Sequence, residues 1–199
     1  MQGGVVIATK NPDKLREMRA VLLEAVPGLN VVDGVDWADV PETGDTLEEK
    51  ALLKGAAVAS ATGFVAIADD TGLEVIALDG APGVHSARFA GPDASYAENR
   101  RMLLAALDGV ADRRARFRTV IAIVWPDGES CTVEGVLGGR IAGAERGSGG
   151  FGYDSLFELD SGRTLAEVSE AEKNRISHRA LALHALAERL RSGDRGWAC

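Results

Sequence analysis

The chain has 199 residues, 46% of them hydrophobic and 26% charged, an ordinary globular balance with enough length to bury a sizeable core. Its formal net charge of −8 argues against a general nucleic-acid binder, which needs a basic footprint, but not against a small polyanion held by a local nest of cations. No apolar run approaches the roughly 18 residues of a membrane span, and Cys131 and Cys199 form no zinc-binding pattern, so a cytoplasmic protein without membrane or nucleic-acid partners is expected.

Residues 4–9 (GVVIAT) read as a buried strand. Asn11 then caps a helix over residues 12–25, with Pro12 at its first position, Asp13 in its first turn, and Leu15, Met18 and Leu22 on one face. A short second strand is expected at residues 29–32, followed by an acidic, turn-rich stretch to Asp45. Thr46 and Glu49 form a capping box that opens an Ala-rich helix to about Ala61. Residues 64–68 make a third strand ending in Asp69, Asp70, Thr71 and Gly72, and residues 73–78 a fourth. Residues 80–91 hold too much Gly and Pro for regular structure. Ser95 and Glu98 make a second capping box for a helix to about Leu107. Residues 116–125 and 130–136 flank a turn at Pro126, Asp127 and Gly128 and read as a hairpin. After the glycine-dense stretch 147–152, Ser177 caps a last helix with Leu183, Leu186, Ala187 and Leu190 on one face, and residues 193–199 form a frayed tail. Mixed helices and strands without repeats or linkers predict one α/β domain over residues 1–192, built on a mixed sheet.

Four clusters of residues invite chemistry. The first, Thr9, Lys10, Asn11, Pro12, Asp13 and Lys14, puts two lysines at a helix N-terminus, whose amides and partial positive charge suit a phosphate. No P-loop motif is present, and a capped surface helix with solvated lysines fits equally well. In the second, Asp69 and Asp70 end a strand with adjacent like charges, which is costly unless compensated. Mg²⁺ would compensate, since it takes carboxylate and phosphate oxygens and keeps several waters. Side chains alternate sides along a strand, so one Asp could bind metal or activate water while the other faces elsewhere. An Asp-Asp-Thr-Gly turn is the competing account. By spacing alone Glu42, as a further metal ligand, and Lys54, as a further phosphate cation, are indistinguishable from solvated surface.

The third cluster, residues 147–154, offers glycines for close backbone approach, Phe151 and Tyr153 as faces for a flat base, and Asp154 as a hydrogen-bond acceptor. A flexible surface loop would have the same composition. In the fourth, Lys173, His178 and Arg179 lie before or at the start of the last helix, where cations oppose the helix dipole, which hints at an anion or a base carbonyl nearby. An exposed polar helix start is the alternative. His85 and His184 lack such context and read as structural or surface residues.

In order along the chain stand Ala8-Thr9-Lys10-Asn11-Pro12-Asp13-Lys14, Glu42-Thr43-Gly44, Ala68-Asp69-Asp70-Thr71-Gly72-Leu73, Gly80-Ala81-Pro82-Gly83, Ser86-Ala87-Arg88-Phe89, Gly149-Gly150-Phe151-Gly152-Tyr153-Asp154, Glu172-Lys173-Asn174 and Ser177-His178-Arg179. With these blocks the chain resembles the inosine/xanthosine triphosphate pyrophosphatase family over residues 5–190. The resemblance implies an elongated mixed β-sheet flanked by helices, two lobes around a central nucleotide cleft, and a homodimer. It implies Mg²⁺-dependent hydrolysis of ITP, dITP and XTP to the monophosphate and pyrophosphate, removing deaminated purines from the nucleotide pool.

Carried onto this sequence, the resemblance has Thr9, Lys10, Asn11, Pro12, Asp13 and Lys14 contacting the phosphates; in the mechanism this suggests, Lys54 joins Lys10 and Lys14 in offsetting their charge. Asp70 is the general base beside the metal, Glu42 and Asp69 complete the metal shell, and Thr71 touches substrate. Phe151, Gly152, Tyr153 and Asp154 frame base and sugar, and Lys173, His178 and Arg179 complete the pocket. Two positions depart from the family pattern: Lys50 replaces the usual Asn, and Thr71 replaces the usual Ser. The rival readings are a pyrophosphatase for other modified nucleotides, such as damaged pyrimidines, and a non-catalytic nucleotide-binding module.

Overall fold

The computed structural model describes residues 4–41 and 43–191. β1 (Val5–Ile7) is fully buried, as its unbroken apolar run requires. Asn11 caps α1 (Pro12–Ala25): its side-chain oxygen accepts from the Asp13 and Lys14 amides, and Pro12 sits where no amide is needed. α1 buries Met18, Val21 and Leu22, and with them the carboxylate of Glu17. The strand expected at residues 29–32 shrinks to one parallel bridge between Val31 and Val5. Once the Val32 amide has reached the Val5 carbonyl, the chain passes through Gly34, whose φ is +72°, and the pairing stops.

α2 (Leu47–Thr62) has both halves of the Thr46/Glu49 capping box and ends at Gly63 in the left-handed conformation. The third and fourth expected strands are a single one, β2 (Val65–Val75), which runs straight through Asp69, Asp70, Thr71 and Gly72. The turn-like composition misleads here. Cations from other elements hold the two carboxylates in an extended buried strand. Gly72 lets the backbone of Gly83 pass, since a Cβ there would stand 2.9 Å from the Gly83 carbonyl oxygen.

β3 (Pro82–Gly83) is a two-residue strand within the expected irregular stretch. α3 (Tyr96–Ala106) carries the Ser95/Glu98 capping box. β4 (Arg114–Val124) and β5 (Ser130–Ile141) are both longer than the expected hairpin and meet at a turn where the Gly128 amide donates to the Trp125 carbonyl at 3.0 Å. β6 (Phe157–Glu158) is too short to leave a periodic signal. α4 (Glu170–Ile176), capped by Ser169, precedes α5 (His178–Arg191). Ser177, expected to open the last helix, is also the C-terminal cap of α4.

The strands pair in the order β1-β2-β4-β5-β6 with β3 on β2. β1 and β2 are parallel, whereas β3 pairs with β2, and β6 with β5, antiparallel. The result is a mixed sheet in an α/β fold. Two compact units emerge. The first takes the described residues of Met1–Asp70, Thr119–Gly135 and His178–Cys199, and the second takes Thr71–Arg118 and Val136–Ser177. Their boundary falls within β2, β4 and β5. The first unit's core gathers Val5, Met18, Leu22, Ile67, Ile121 and Leu183, and α1 packs on α5. The second unit's core gathers Leu73, Leu103, Leu107, Phe117, Phe157 and Leu165. Among the described residues no helix is long and apolar enough to cross a membrane.

Candidate active site

In the first unit, side chains from α1, α2 and α5 converge on two adjacent carboxylates of β2. Lys14 Nζ lies 2.9 Å from Asp69 Oδ2, and Arg179 Nε donates to the same oxygen at 3.2 Å. Arg179 turns its other arm to Glu17 Oε2 at 2.5 Å. Lys54, one α2 residue past Leu53, reaches Asp70 Oδ1 at 3.0 Å. Three carboxylates and three cations thus meet in a largely buried cluster, with Asp69 only 1% exposed and Asp70 7%.

The neighbouring carboxyls are driven in opposite directions. Burial alone would raise the proton affinity of Asp69, but Lys14 and Arg179 outweigh it and hold this carboxyl well below the usual range. At Asp70 burial wins over the attraction of Lys54 and Lys14, so its carboxyl is raised above 3.8. Burial also lowers Lys14, although Asp69 opposes it. Two titratable neighbours pushed apart in this way are suited to separate tasks: a permanent anion that anchors a cation, and a carboxylate that can accept a proton.

The α1 terminus is less open than an anion site requires. The Asn11 amide donates to Thr9 Oγ1 at 3.2 Å, while the amides of Asp13 and Lys14 donate to Asn11 Oδ1. A phosphate arriving here would meet lysine side chains rather than vacant amides. Lys10 is exposed and paired with Asp39 at 2.6 Å, and Asp13 pairs with Arg16. Glu42, the expected second metal ligand, lies outside the described residues. Among those described, no three His, Cys, Asp or Glu side chains are grouped as a metal site.

In the second unit, the residues expected around a base form a different cluster. Asp154 Oδ2 accepts from Lys173 Nζ at 2.6 Å and from the Phe151 amide at 2.8 Å. The Lys173 ammonium stands 4.8 Å from the centre of the Phe151 ring, a cation–π arrangement. Gly150, at φ +67°, admits the Asp154 carboxylate where a Cβ would clash at 2.1 Å. Tyr153 departs from its expected part. It is buried, its hydroxyl donates to the Ser86 carbonyl at 2.9 Å, and burial raises its phenol. A ring in the core cannot present a face to a base, so Tyr153 packs the unit instead.

Residues 5–189 match the Ham1 family. A dITP/XTP pyrophosphatase of Syntrophobacter fumaroxidans is 50% identical over 183 residues, covering 90% of this chain and 78% of the relative. The chain belongs to the Ham1 family. A dITP/XTP pyrophosphatase of Symbiobacterium thermophilum is 47% identical over 191 residues, or 95% of each chain. The solved structure of a HAM1 protein from Coxiella burnetii matches with a TM-score of 0.85 at 39% identity, covering 95% of this chain and 98% of that one. The family and the mixed α/β fold expected from the ordered motif blocks are therefore those found.

Within this Ham1 chain, Arg179 differs from its expected position facing a base. At 3% exposure it is engaged by Asp69 and Glu17, and reaching a base would mean giving up both of those contacts. His178 is buried at the start of α5, and Thr71 is half-buried in β2 directly after Asp70. Lys50, the departure from the family's usual Asn, is 1% exposed on the buried side of α2, one turn before Lys54. Glu17 is the member of this charged cluster that the sequence reading missed. A charged residue beside the apolar Met18, Val21 and Leu22 is the one local sign that this face meets a cation.

Proposed function

We propose that this Ham1-family chain hydrolyses non-standard purine nucleoside triphosphates (ITP, dITP and XTP) to the nucleoside monophosphate and pyrophosphate, clearing deaminated purines from the cytoplasmic nucleotide pool. The observation that carries this reading is Asp70, a buried carboxylate with raised proton affinity, held by Lys54 and next in sequence to an ionised Asp69 that fixes Lys14. The names of the relatives support the choice of substrate.

Asp70 accepts a proton from a water attacking the α-phosphorus. The new P–O bond forms as the bond to the bridging oxygen breaks, and pyrophosphate leaves as a unit. A raised carboxyl pKa brings the base closer to the working pH, the condition under which general-base catalysis is most effective. Lys14 and Lys54 offset the charge of the leaving phosphates, with Lys10 contributing from the exposed side. Thr9, Asn11, Pro12 and Asp13 shape the lysine-bearing helix end, and Thr71 touches substrate beside the base. Asp69 and Arg179 act through Lys14, as positioning residues.

The donor chemistry suits a hard divalent ion. Among the described residues Lys54 is the side chain that donates to Asp70, at Oδ1, so carboxylate oxygen remains for a metal, whereas Asp69 Oδ2 is taken by Lys14 and Arg179. Mg²⁺ would be held by Asp70 and Glu42 together with phosphate oxygens. When bound it polarises those oxygens and lowers the pKa of the attacking water.

Phe151, Gly152 and Asp154, with Lys173 and His178, are assigned to the base and sugar. Hypoxanthine and xanthine carry an acceptor oxygen at C6, where adenine carries an amino group. A donor built for that oxygen is left unpaired by adenine, which can reject the wrong base by about 10⁴–10⁵. The test is pyrophosphate release from ITP, XTP, GTP and ATP with Mg²⁺. We expect kcat/KM for ITP and XTP to exceed that for ATP by orders of magnitude, and comparable values for ITP and ATP would overturn the proposal. Orthophosphate release would mark an ordinary phosphatase. The family resemblance further supports a homodimer, which sedimentation equilibrium would measure as twice the chain mass.

A further inference from the structure

We propose that Tyr96 forms part of the base-binding surface and sets affinity for the nucleobase, a role outside every motif that identifies the family. This rests on the reading that Phe151 lies against the base. The two rings are neighbours in the second unit, with centroids 5.9 Å apart and planes tilted by 38°. Each is mounted firmly. Phe151 sits between Gly150 and Gly152, both at positive φ, and its amide is tied to Asp154. Tyr96 is the first residue of α3, held by the capping box in which the Ser95 amide donates to Glu98 Oε2 at 2.8 Å and the Glu98 amide donates to Ser95 Oγ.

One turn further along the same side of α3, Arg100 donates to the Gly152 carbonyl at 2.9 Å and to Glu145 at 2.8 Å. Helix α3 is therefore fastened to the loop that carries Phe151, and the contact between the rings is a fixed feature of the unit.

Ring geometry then limits how a base can stack. An aromatic ring has two faces, and the Lys173 ammonium stands over one face of Phe151. A planar base can use at most the other face, so Phe151 alone offers little stacking area. Tyr96 enlarges it. Tyr96 stays 38% exposed and lies outside the core of its unit. A large aromatic left partly open next to a cation-capped ring suits a flat, electron-poor ligand such as hypoxanthine or xanthine.

The test compares Tyr96→Ala, Tyr96→Phe and Phe151→Ala in the full chain with Mg²⁺. It reads kcat and KM for ITP and the inhibition constant of inorganic tripolyphosphate, which has the phosphates but no base. Tyr96→Ala is expected to raise KM about 5- to 50-fold with kcat within about twofold, the size of one lost stacking contact, while tripolyphosphate inhibition stays unchanged. Tyr96→Phe, which keeps the ring, should recover most of that loss. If Phe151→Ala raises KM and Tyr96→Ala does not, Tyr96 only packs on its neighbour and this inference falls alone. If Phe151→Ala leaves KM unchanged, the base-site reading falls and takes this inference with it. Equal weakening of ITP and tripolyphosphate by Tyr96→Ala would also overturn it, because the effect would then not be at the base.

Discussion

Replacing the Asp70 carboxylate by an amide preserves its shape and removes its ability to take a proton. Asp70→Asn should therefore lower kcat by about 10²–10⁴ while nucleotide binding is little changed, as equilibrium binding of ITP beside steady-state kinetics would measure. The acid limb of kcat/KM belongs to the free enzyme, and burial of Asp70 puts that limb above 3.8. Lys54 pulls the carboxyl down, so Lys54→Met should move the limb to higher pH. A limb that stays put or moves down would remove Lys54 from this electrostatic role. Asp69 behaves in the opposite way. Its carboxyl is depressed in the folded chain, so the stability it contributes is present above the ordinary aspartate value of 3.8 and is lost as pH falls toward the folded-state value. Asp69→Asn leaves the buried Arg179 and the half-buried Lys14 without their shared anion and should cost about 3–5 kcal/mol at neutral pH. In denaturant titrations the gap to the parent should narrow below pH 4, since there the unfolded parent takes up a proton at Asp69 that the folded parent still excludes.

At the scale of elements, the site depends on how closely helices approach strands. Gly135 in β5 faces α5, and a Cβ there would stand 2.2 Å from the His178 carbonyl oxygen and 2.4 Å from the Ala182 amide nitrogen. Gly135→Ala would push away the first turn of the helix that carries Arg179. A loss of about 1–3 kcal/mol, the usual range for overpacking, is expected in thermal or chemical unfolding. A neutral result would mean that α5 yields without cost. Helix α2 gains its start from the capping box of Thr46 and Glu49, and from that start it delivers Lys50 and Lys54 to its buried side. These elements were legible in the sequence because caps act within a few residues: Asn11, Thr46 and Ser95 each announce a helix at its observed beginning. β2 was harder to read. Asp, Thr and Gly favour turns in isolation, and only partners from other elements keep Asp69 and Asp70 in an extended strand.

For the molecule as a whole, each compact unit has its own apolar core. Leu22 is fully buried in the first and Phe157 in the second. Leu22→Ala and Phe157→Ala should each cost about 2–5 kcal/mol. Because the two side chains share no cluster, their effects in the double variant should add to within about 0.5 kcal/mol, as equilibrium unfolding would measure. A larger departure from additivity would mean that the cores are energetically one.

The sequence by itself determined the fold class, the three capped helices, the apolar strands and, through the order of its motif blocks, the family. These depend on backbone propensity, capping and side-chain periodicity, all of which operate over one or two turns of chain. Tertiary structure decided which of the two carboxyls is depressed and which is raised, that Arg179 is engaged by acids, and that Tyr153 is a core residue. Those outcomes depend on burial and on charges brought from afar: Arg179 is 110 positions from Asp69 and 162 from Glu17. Proton affinity follows the local dielectric and the nearest charges, and neither exists until distant segments have packed together.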